Sequence, residues 1–303
     1  MRKFLLVLIF TGFTCLVSFS DVYVDESFTG SAANDWTFVT GLGDGPSLTA
    51  ANGIDADGEG WLRLTKDENN QSSFVYCNKV LSAEKGLVFT FDFVVWGGSS
   101  SLADGFTLAI FDANVDAPAA GGYGGSLGYA QHSGQSGTGL DGGIVGFGFD
   151  TFGNFSNPTE GRIDGPGETK NAIAIRGSMG DTRYDGYKYL TGTESLESFS
   201  TGSAADRSDA TAHSVRITIP TDKQVTIEWM TEGDEGYTTL IDYACTLDCP
   251  TNVMFGFTGG TGGYSSNQEI RNLSVVSVPE PVCMMLILFA GVIGLWVRRR
   301  FMI

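Results

Sequence analysis

The sequence predicts an all-β fold, a β-sandwich, and three observations support this prediction. Glycine accounts for 42 of the 303 residues, phenylalanine is the most numerous aromatic residue with 21 copies, and charged residues make up only 17%. This composition is typical of short strands joined by glycine turns. Several segments alternate apolar and polar residues, and none keeps a helical period beyond a couple of turns. Alternating strand and helix units are absent, which excludes an open parallel α/β sheet.

The first twenty residues have the order of a secretory signal peptide. Arg2 and Lys3 form a basic start, residues 4–17 are an apolar run, and residues 18–20 offer a small-residue cleavage site. We therefore expect export, a signal peptide over residues 1–20 and a mature chain that begins near Asp21. The interval 21–277 has the length of one β-sandwich domain.

Strand patterns recur along this interval. The alternating apolar positions are Phe89, Phe91 and Phe93; Val215, Ile217 and Ile219; and Val225, Ile227 and Trp229. Such alternation predicts antiparallel strands with one face packed on the core. Glycine-rich segments at 97–105, 115–128, 153–168 and 258–266 predict the loops between strands.

The last 26 residues carry a second targeting pattern. Val278-Pro279-Glu280-Pro281 precedes an apolar run over residues 282–297, and Arg298-Arg299-Arg300 follows it. The run is somewhat short for a bilayer, although flanking arginines can extend its reach. This order resembles the PEP-CTERM sorting tail, which implies recognition by a membrane-bound exosortase and placement at the cell surface or in an exopolysaccharide matrix. An ordinary single-pass anchor is the alternative, and it also puts residues 21–277 outside the cytoplasm.

The charge balance is strongly acidic. The net charge is −17, and it becomes more negative in the mature domain because five basic residues lie in the two terminal signals. This excludes nucleic acid and anionic lipid as expected partners. It is compatible with a neutral sugar and with divalent cations.

Three cysteines lie outside the two terminal signals. Cys245 and Cys249 flank a short turn, so a local disulfide between them is one possibility in an exported protein, while Cys77 has the pattern of a buried thiol. His132 and His213 are isolated from these cysteines and from each other, and no zinc site is expected.

Four motifs, in this order, resemble the L-type (legume-like) lectin family. They are Ala103–Ile110 with its Ala-Asp-Gly start, Gly124–Tyr129, Val145–Asn154 and Phe255–Gly263. With the upstream segments 60–65 and 89–93, the resemblance covers nearly all of residues 27–277. It implies a jelly-roll sandwich with binding loops at one edge of a curved sheet.

The resemblance also implies a carbohydrate site. Asp104, after a cis peptide bond, would accept hydrogen bonds from two sugar hydroxyls. Gly124 or Gly125 would present a backbone N–H where no side chain blocks the ligand. Asn154 would donate its amide, and the 258–263 loop, with Gly260, would close the far side. Phe152 is either a stacking platform or a core residue.

A calcium site is implied next to these residues. Asp150, the carbonyl of Phe152 and Asn154 match three of the family's calcium ligands, all hard oxygen donors. The fourth ligand is Asp164 or Glu160, both in an insertion over residues 155–167, with Asp164 preferred. No manganese is expected, because Gly148 stands where the family has a glutamate and Asn171 or Ala172 stands where it has a histidine.

Enzymatic interpretations fail on residue types. Residues 124–128 match G-x-S-x-G, but that motif needs a strand-to-helix turn on an α/β sheet. A laminarinase-like glycosidase needs two carboxylates on one strand, and residues 147–152 contain one. The sequence therefore predicts a non-catalytic, calcium-assisted lectin. The alternative is a structural surface or matrix protein that keeps the sandwich without binding sugar.

Overall fold

The computed structural model describes residues 20–98, 101–134, 137–197, 199, 204–245 and 250–279. Residues Val22–Val278 form one compact unit. The predicted signal peptide, except Ser20, and the predicted membrane run and arginine cluster of the tail lie outside the described residues. Within the described ranges, no helix has both the length and the apolar character to span a membrane.

The described residues form two antiparallel sheets of eight strands each. The strands in chain order are β1 (Val22–Glu26), β2 (Trp36–Leu42), β3 (Ser47–Leu48), β4 (Leu62–Thr65), β5 (Gln71–Cys77), β6 (Leu81–Ser82), β7 (Leu87–Trp96), β8 (Gly105–Asp112), β9 (Gly143–Asp150), β10 (Ala172–Arg176), β11 (Tyr189–Gly192), β12 (Ala212–Ile219), β13 (Gln224–Thr231), β14 (Thr238–Ala244), β15 (Asn252–Thr261) and β16 (Asn267–Ser277). Sheet I has the order β14-β13-β12-β7-β16-β4-β3, with β1 paired to β16. Sheet II has the order β11-β10-β9-β8-β15-β5-β2, with β6 paired to β15. The prediction of an all-β sandwich is confirmed.

Phenylalanine rings fill the space between the two sheets. Phe91 of β7 packs its ring against Phe257 of β15 at 5.1 Å and against Phe149 of β9 at 5.8 Å between ring centroids. The alternation predicted for β7, β12 and β13 is present, since buried and half-buried residues alternate along these strands. Sheet I therefore packs one face on the core, as an antiparallel sheet with one apolar face does.

Sheet II is buried on both faces. Every residue of β5, β9 and β10 is buried. Loops cover its outer face with a second cluster that includes Leu127, Tyr129, Leu140, Phe155 and Tyr187. These loops also carry the predicted site residues, so packing holds the site against a rigid sheet.

The structure corrects one predicted boundary. The sequence predicts a loop over residues 258–266, but β15 continues through Thr261 because Gly259 and Gly260 keep the antiparallel register with β5 and β8. A Cβ at position 260 would lie 2.7 Å from the carbonyl oxygen of Gly124. Glycine therefore serves here to let a neighbouring loop lie directly on the strand.

The cysteines agree in part with the sequence-based expectation. Cys77 is a buried free thiol, as predicted, and burial raises its pKa. Cys245 is also free and half-buried. Its proposed disulfide partner, Cys249, lies outside the described residues.

Candidate functional site

Neighbouring strand ends bring two aspartates to one edge of sheet II. Asp104 directly precedes β8 and Asp150 ends β9, and Gly105 pairs with Asp150 in the ladder between them. The peptide bond between Ala103 and Asp104 is cis. The Asp104 carbonyl accepts a hydrogen bond from the backbone N–H of Thr151 at 2.9 Å, and the Asp104 N–H donates to the Gly260 carbonyl at 3.0 Å. The backbone of Asp104 is therefore fixed by both neighbouring strands.

A cavity of about 370 Å³ opens at this edge. Six of the residues singled out in the sequence line it, namely Asp104, Gly124, Gly125, Phe152, Asn154 and Glu160. Three others do not: Gly260 is buried in β15, Asp164 is exposed on the insertion, and Asp150 is 1% exposed at the end of β9. The structure thus gathers most of the predicted carbohydrate-site residues in one place.

A short glycine turn forms one wall of the cavity. Residues Gly124–Ser126 make a single turn of 3-10 helix, and Gly124 has a φ of +62°, which favours glycine. A Cβ at Gly125 would lie 2.2 Å from the Cβ of Asn154. Both glycines are therefore required, one by its backbone conformation and one by the close approach of Asn154.

The carboxyl group of Asp104 is the most unusual polar group in the cavity. Its side chain is buried, and its Oδ2 has no hydrogen-bond partner among the described residues. Burial and the nearby Asp150 carboxylate raise the pKa of Asp104 to about 8, although Arg162 and the backbone N–H of Gly262 oppose this effect. A buried acceptor without a donor costs free energy, so it marks a place where a ligand donor would be favourable.

Two aromatic pairs flank the carboxyl group. Phe152 stacks on Tyr264 with ring centroids 5.6 Å apart, and Tyr123 stacks on His132 at 4.3 Å. Phe152 belongs to the cavity lining and to neither core cluster, which resolves the ambiguity left by the sequence. Tyr123, His132 and Tyr264 were not predicted. Tyr123 and Tyr264 each lie next to a glycine motif, and this position in the sequence could have indicated that they line the cavity.

Part of the predicted calcium set is present. Asp150 accepts hydrogen bonds from the backbone N–H of Gly153 at 2.7 Å and of Phe155 at 2.6 Å, one on each carboxylate oxygen. These bonds fold the loop after β9 back toward Asp150. Phe152 and Asn154 belong to this loop and therefore lie near the Asp150 carboxylate. Burial raises the pKa of Asp150 to about 7, against the lowering effect of the same N–H groups.

The fourth calcium ligand is not supplied by either predicted residue. The Asp164 carboxylate has 59% of its side chain exposed and pairs with Lys188 at 3.3 Å. The Glu160 carboxylate accepts a hydrogen bond from the Ser133 hydroxyl at 2.7 Å and lies 3.6 Å from His132. The predicted four-ligand set is therefore incomplete, because the insertion directs both acidic side chains toward other partners.

The position of the family glutamate is filled by an aromatic ring. A Cβ at Gly148 would lie 2.3 Å from the ring of Phe155, and Phe155 belongs to the cluster that covers sheet II. A carboxylate has no room at position 148. The residues present do not fit a transition metal at this point.

Arg162 is the main site residue that the sequence did not predict. It lines the cavity with Asp104 and Asn154 and is only 3% exposed. It lies in the insertion, and a basic residue in a polar loop carries no signal of burial. Its Nη1 donates to the hydroxyl of Ser126 at 2.7 Å. Ser126 in turn donates to the Gln131 carbonyl, so the formal G-x-S-x-G serine has a structural role here.

Comparisons with known proteins reveal the fold. No family model matches the chain, and no curated protein sequence matches it. Among solved structures, the chain is similar to the lectin of Bauhinia forficata in complex with GalNAc, at 18% identity and a TM-score of 0.56, over 86% of this chain and 99% of that one. It is also similar to the exoplasmic/lumenal domain of VIP36 in a Ca²⁺/Man3GlcNAc-bound form, at 17% identity and a TM-score of 0.54, over 82% of this chain and 87% of that one. A third neighbour is arcelin-5, a lectin-like defence protein of Phaseolus vulgaris, at 11% identity and a TM-score of 0.55, over 86% and 99% of the two chains. The chain therefore has the jelly-roll β-sandwich of the L-type lectins.

Proposed function

We propose that this protein is a non-catalytic lectin that is exported and binds carbohydrate at the cell surface or in an exopolysaccharide matrix. The observation that carries the proposal is the Asp104 carboxyl, which is buried, lacks a donor for Oδ2 and lines an open cavity. Sugar hydroxyls are donors of the size and geometry that such a group needs. Two of the similar structures are complexes with sugars, which supports the same class of ligand.

The other lining residues suit a sugar. Asn154 offers an amide that can donate to a ring hydroxyl, and a Cβ at Gly124 would lie 3.8 Å from Asp104 Oδ2, so glycine leaves that side of the carboxyl group without a side chain. Tyr264, which stacks on Phe152 and is 46% exposed, provides an apolar surface for the C–H face of a pyranose, while the Lys170 ammonium lies over the Phe152 ring. The site therefore combines fixed polar groups with an apolar platform, as small-molecule sites commonly do.

Export is the second part of the proposal. It rests on the signal-peptide pattern of residues 1–20 and on the PEP-CTERM-like tail of residues 278–303. The tail would engage an exosortase, and residues 282–297 would hold the protein in the membrane before processing. The acidic net charge of −17 favours a neutral polysaccharide over nucleic acid as the partner.

The calcium ion that the resemblance implies lacks a complete set of ligands among the predicted residues. Asp150, Phe152 and Asn154 offer oxygen donors, but Glu160 accepts a hydrogen bond from Ser133 and Asp164 pairs with Lys188. The donor set does not fit a calcium ion as the sequence predicted. Sugar recognition is therefore assigned to the side chains and backbone of the chain itself.

The direct test is glycan-array binding of the purified protein and of Asp104→Asn. The wild type should bind a subset of the glycans on the array. The variant should bind them with tenfold or more lower affinity, because a hydrogen bond to a charged acceptor contributes about 1.5–3 kcal/mol. The exposed Asp44→Asn serves as the control. Flat binding by the wild type would contradict the proposal and favour a structural matrix role.

The pH dependence of binding tests the role of Asp104 independently. The free carboxyl, with a pKa of about 8, is largely protonated at neutral pH. Sugar hydroxyls that donate to it favour the ionised form, so binding should release protons. Affinity should rise as pH increases and level off above about 8, as a titration with a captured glycan would show. An affinity independent of pH in the wild type would rule out an acceptor role for this group.

A further inference from the structure

A buried cation, Arg162, lines the cavity together with Asp104, Phe152 and Asn154, beside the loop where the sequence predicted a metal. All three guanidinium nitrogens of Arg162 donate hydrogen bonds: Nη1 to the Ser126 hydroxyl at 2.7 Å, Nη2 to the Thr159 hydroxyl at 2.7 Å and Nε to the Asn157 carbonyl at 3.2 Å. With 3% exposure and three neutral oxygen partners, the guanidinium is held in one orientation. Its hydrogen bonds do not neutralise its charge.

The negative charges that act on Arg162 are the carboxylates of Asp150, Glu160 and Asp104. Burial lowers the pKa of Arg162 to about 10, while the negative charges of Asp150, Glu160 and Asp104 act in the opposite direction. Arg162 in turn lowers the pKa of both Asp104 and Asp150. A buried charge is tolerated when opposite charges lie close to it, and here the same carboxylate that would bind calcium compensates a guanidinium.

A second guanidinium adds to the positive charge near Asp150. Arg176 is fully buried, and its pKa is lowered to about 9 by burial and by the positive charge of Arg162. A divalent cation at Asp150 would add two positive charges beside two that are already fixed. Repulsion between like charges is strong at short range in a poorly solvated interior.

The hydrogen bonds of Arg162 also connect the two halves of the cavity wall. Ser126 belongs to the 3-10 turn with Gly124 and Gly125, whereas Asn157 lies in the loop of Asn154. The backbone N–H of Asn157 donates to the Asn154 carbonyl at 3.1 Å. Arg162 thus holds the loop that carries Asn154 against the glycine turn.

We propose that Arg162 takes the place of the calcium ion: its guanidinium supplies the fixed positive charge beside Asp150 and Asp104 and positions the binding loop, so that the site works without a divalent metal. One consequence of this inference is metal-independent sugar binding, and that consequence rests on the proposed carbohydrate-binding function. Arg162 is a positioning residue, and the sugar contacts remain those of Asp104 and its neighbours.

The first experiment measures calcium binding by the wild-type protein. Calorimetric titration with CaCl2 should show no binding heat, and the melting temperature should be equal in excess EDTA and in excess CaCl2. Uptake of one calcium per chain, with a rise in melting temperature that Asp150→Asn abolishes, would overturn the proposal. This measurement is decisive even if no variant of Arg162 folds.

The second experiment replaces the cation. Above about pH 8, where Asp104 and Asp150 are both ionised, Arg162→Met should melt lower than the wild type in EDTA and recover part of the loss in CaCl2, because the two carboxylates then lack a countercharge. Arg162→Lys, which keeps the charge, should remain insensitive to calcium. A purely structural role for Arg162 would lower the melting temperature of Arg162→Met equally in EDTA and in CaCl2, and that result would overturn the proposal. An Arg162→Met variant as stable as the wild type would do the same.

A third experiment measures glycan binding and distinguishes a failure of this inference from a failure of the proposed function. Wild-type protein should give the same glycan signals in EDTA and in CaCl2, within twofold. Glycan binding that requires calcium would overturn the role of Arg162 and leave the lectin function standing. An array without any binding would instead contradict the lectin function, while the melting and calorimetric results would still decide whether Arg162 replaces the metal.

Discussion

Asp104 and Asp150 are two buried carboxyl groups on adjacent strand ends, and the negative charge of Asp150 raises the pKa of Asp104. Burial is the larger cause for both, and it raises their pKa values to about 8 and about 7. Asp150 recovers part of this cost through two backbone N–H donors, whereas Asp104 Oδ2 has no donor among the described residues. Asp104, whose carboxyl group has the fewer hydrogen-bond donors, is thus the one that lines the cavity.

The stability of the protein should depend on pH through Asp104. In the unfolded chain this carboxyl ionises near pH 4, but in the folded protein only near pH 8, so between these values the folded state holds the extra proton. Stability should therefore fall as pH rises from about 4 to about 8, by up to ~1.4 kcal/mol per pH unit. Urea unfolding across this range checks the slope.

The Asp104→Asn variant provides the matched comparison. An amide cannot ionise, so the variant should show a shallower pH slope and exceed the wild type in stability near pH 8. Asp44→Asn, at an exposed ion pair with Lys66, should follow the wild-type curve. Parallel curves for Asp104→Asn and the wild type would show that Asp104 is not the titrating group.

Gly262 controls access to the same carboxyl group. A Cβ at position 262 would lie 3.0 Å from Asp104 Oδ2, in the space that a sugar hydroxyl would use. We expect Gly262→Ala to reduce glycan affinity by tenfold or more, in line with a hydrogen bond to a charged group. Gly236→Ala, with open space around its Cβ and no place in the cavity lining, is the control. Equal affinity of the two variants would contradict this location for the sugar.

At the scale of elements, one side chain bonds several carbonyl groups of the insertion over residues 155–167 to sheet II. Arg176 of β10 is fully buried and donates to the carbonyl oxygens of Phe155 at 2.6 Å, Tyr187 at 2.8 Å and Ile163 at 2.9 Å. It donates to two further carbonyls of the insertion at longer distances. A loop without secondary structure thereby satisfies its inward carbonyls.

Removal of this side chain should release the insertion. Arg176→Met leaves several buried carbonyl groups without donors, and the expected loss is about 3 kcal/mol or more in the free energy of unfolding. Arg216→Met, which breaks a surface ion pair with Glu228, should cost only about 0–1 kcal/mol. Urea unfolding compares the two. Equal losses would show that the carbonyl contacts of Arg176 do not stabilise the loop.

At the scale of the whole molecule, the sandwich depends on rings that meet across the two sheets. Phe91 of sheet I contacts Phe149 and Phe257 of sheet II, and its side chain is fully buried. The cavity that Asp104 lines lies at the end of the same strands of sheet II. The rigidity of the site and the packing of the core therefore have a common origin.

Truncation of this ring should destabilise the whole domain. Phe91→Ala removes a buried aromatic ring and leaves a cavity, at a cost of about 3–5 kcal/mol. Val22→Ala, at a residue that is 67% exposed, should change stability by less than about 0.5 kcal/mol. Thermal unfolding measures both, and a Phe91→Ala midpoint within the error of the Val22→Ala midpoint would contradict the packing.

Local patterns were enough to predict the fold and most of the candidate site. Alternation of apolar residues depends only on the two-residue period of a strand, so β7, β12 and β13 could be predicted from the chain alone. The motifs at Asp104, Gly124 and Asn154 predicted residues that line one cavity. Glycines in these motifs indicate what the backbone requires there, namely a turn at Gly124 and a close approach at Gly125.

The sequence by itself thus determined the sandwich and several of the residues that line the cavity at its edge, whereas only the tertiary structure decided which charges lie there. Nothing in the order of residues 155–167 shows that Asp164 pairs with Lys188, that Phe155 fills the space beside Gly148, or that Arg162 is buried. These outcomes depend on which partners the rest of the chain presents. An irregular loop has no period, and each of its side chains takes the orientation that long-range packing and charge compensation allow.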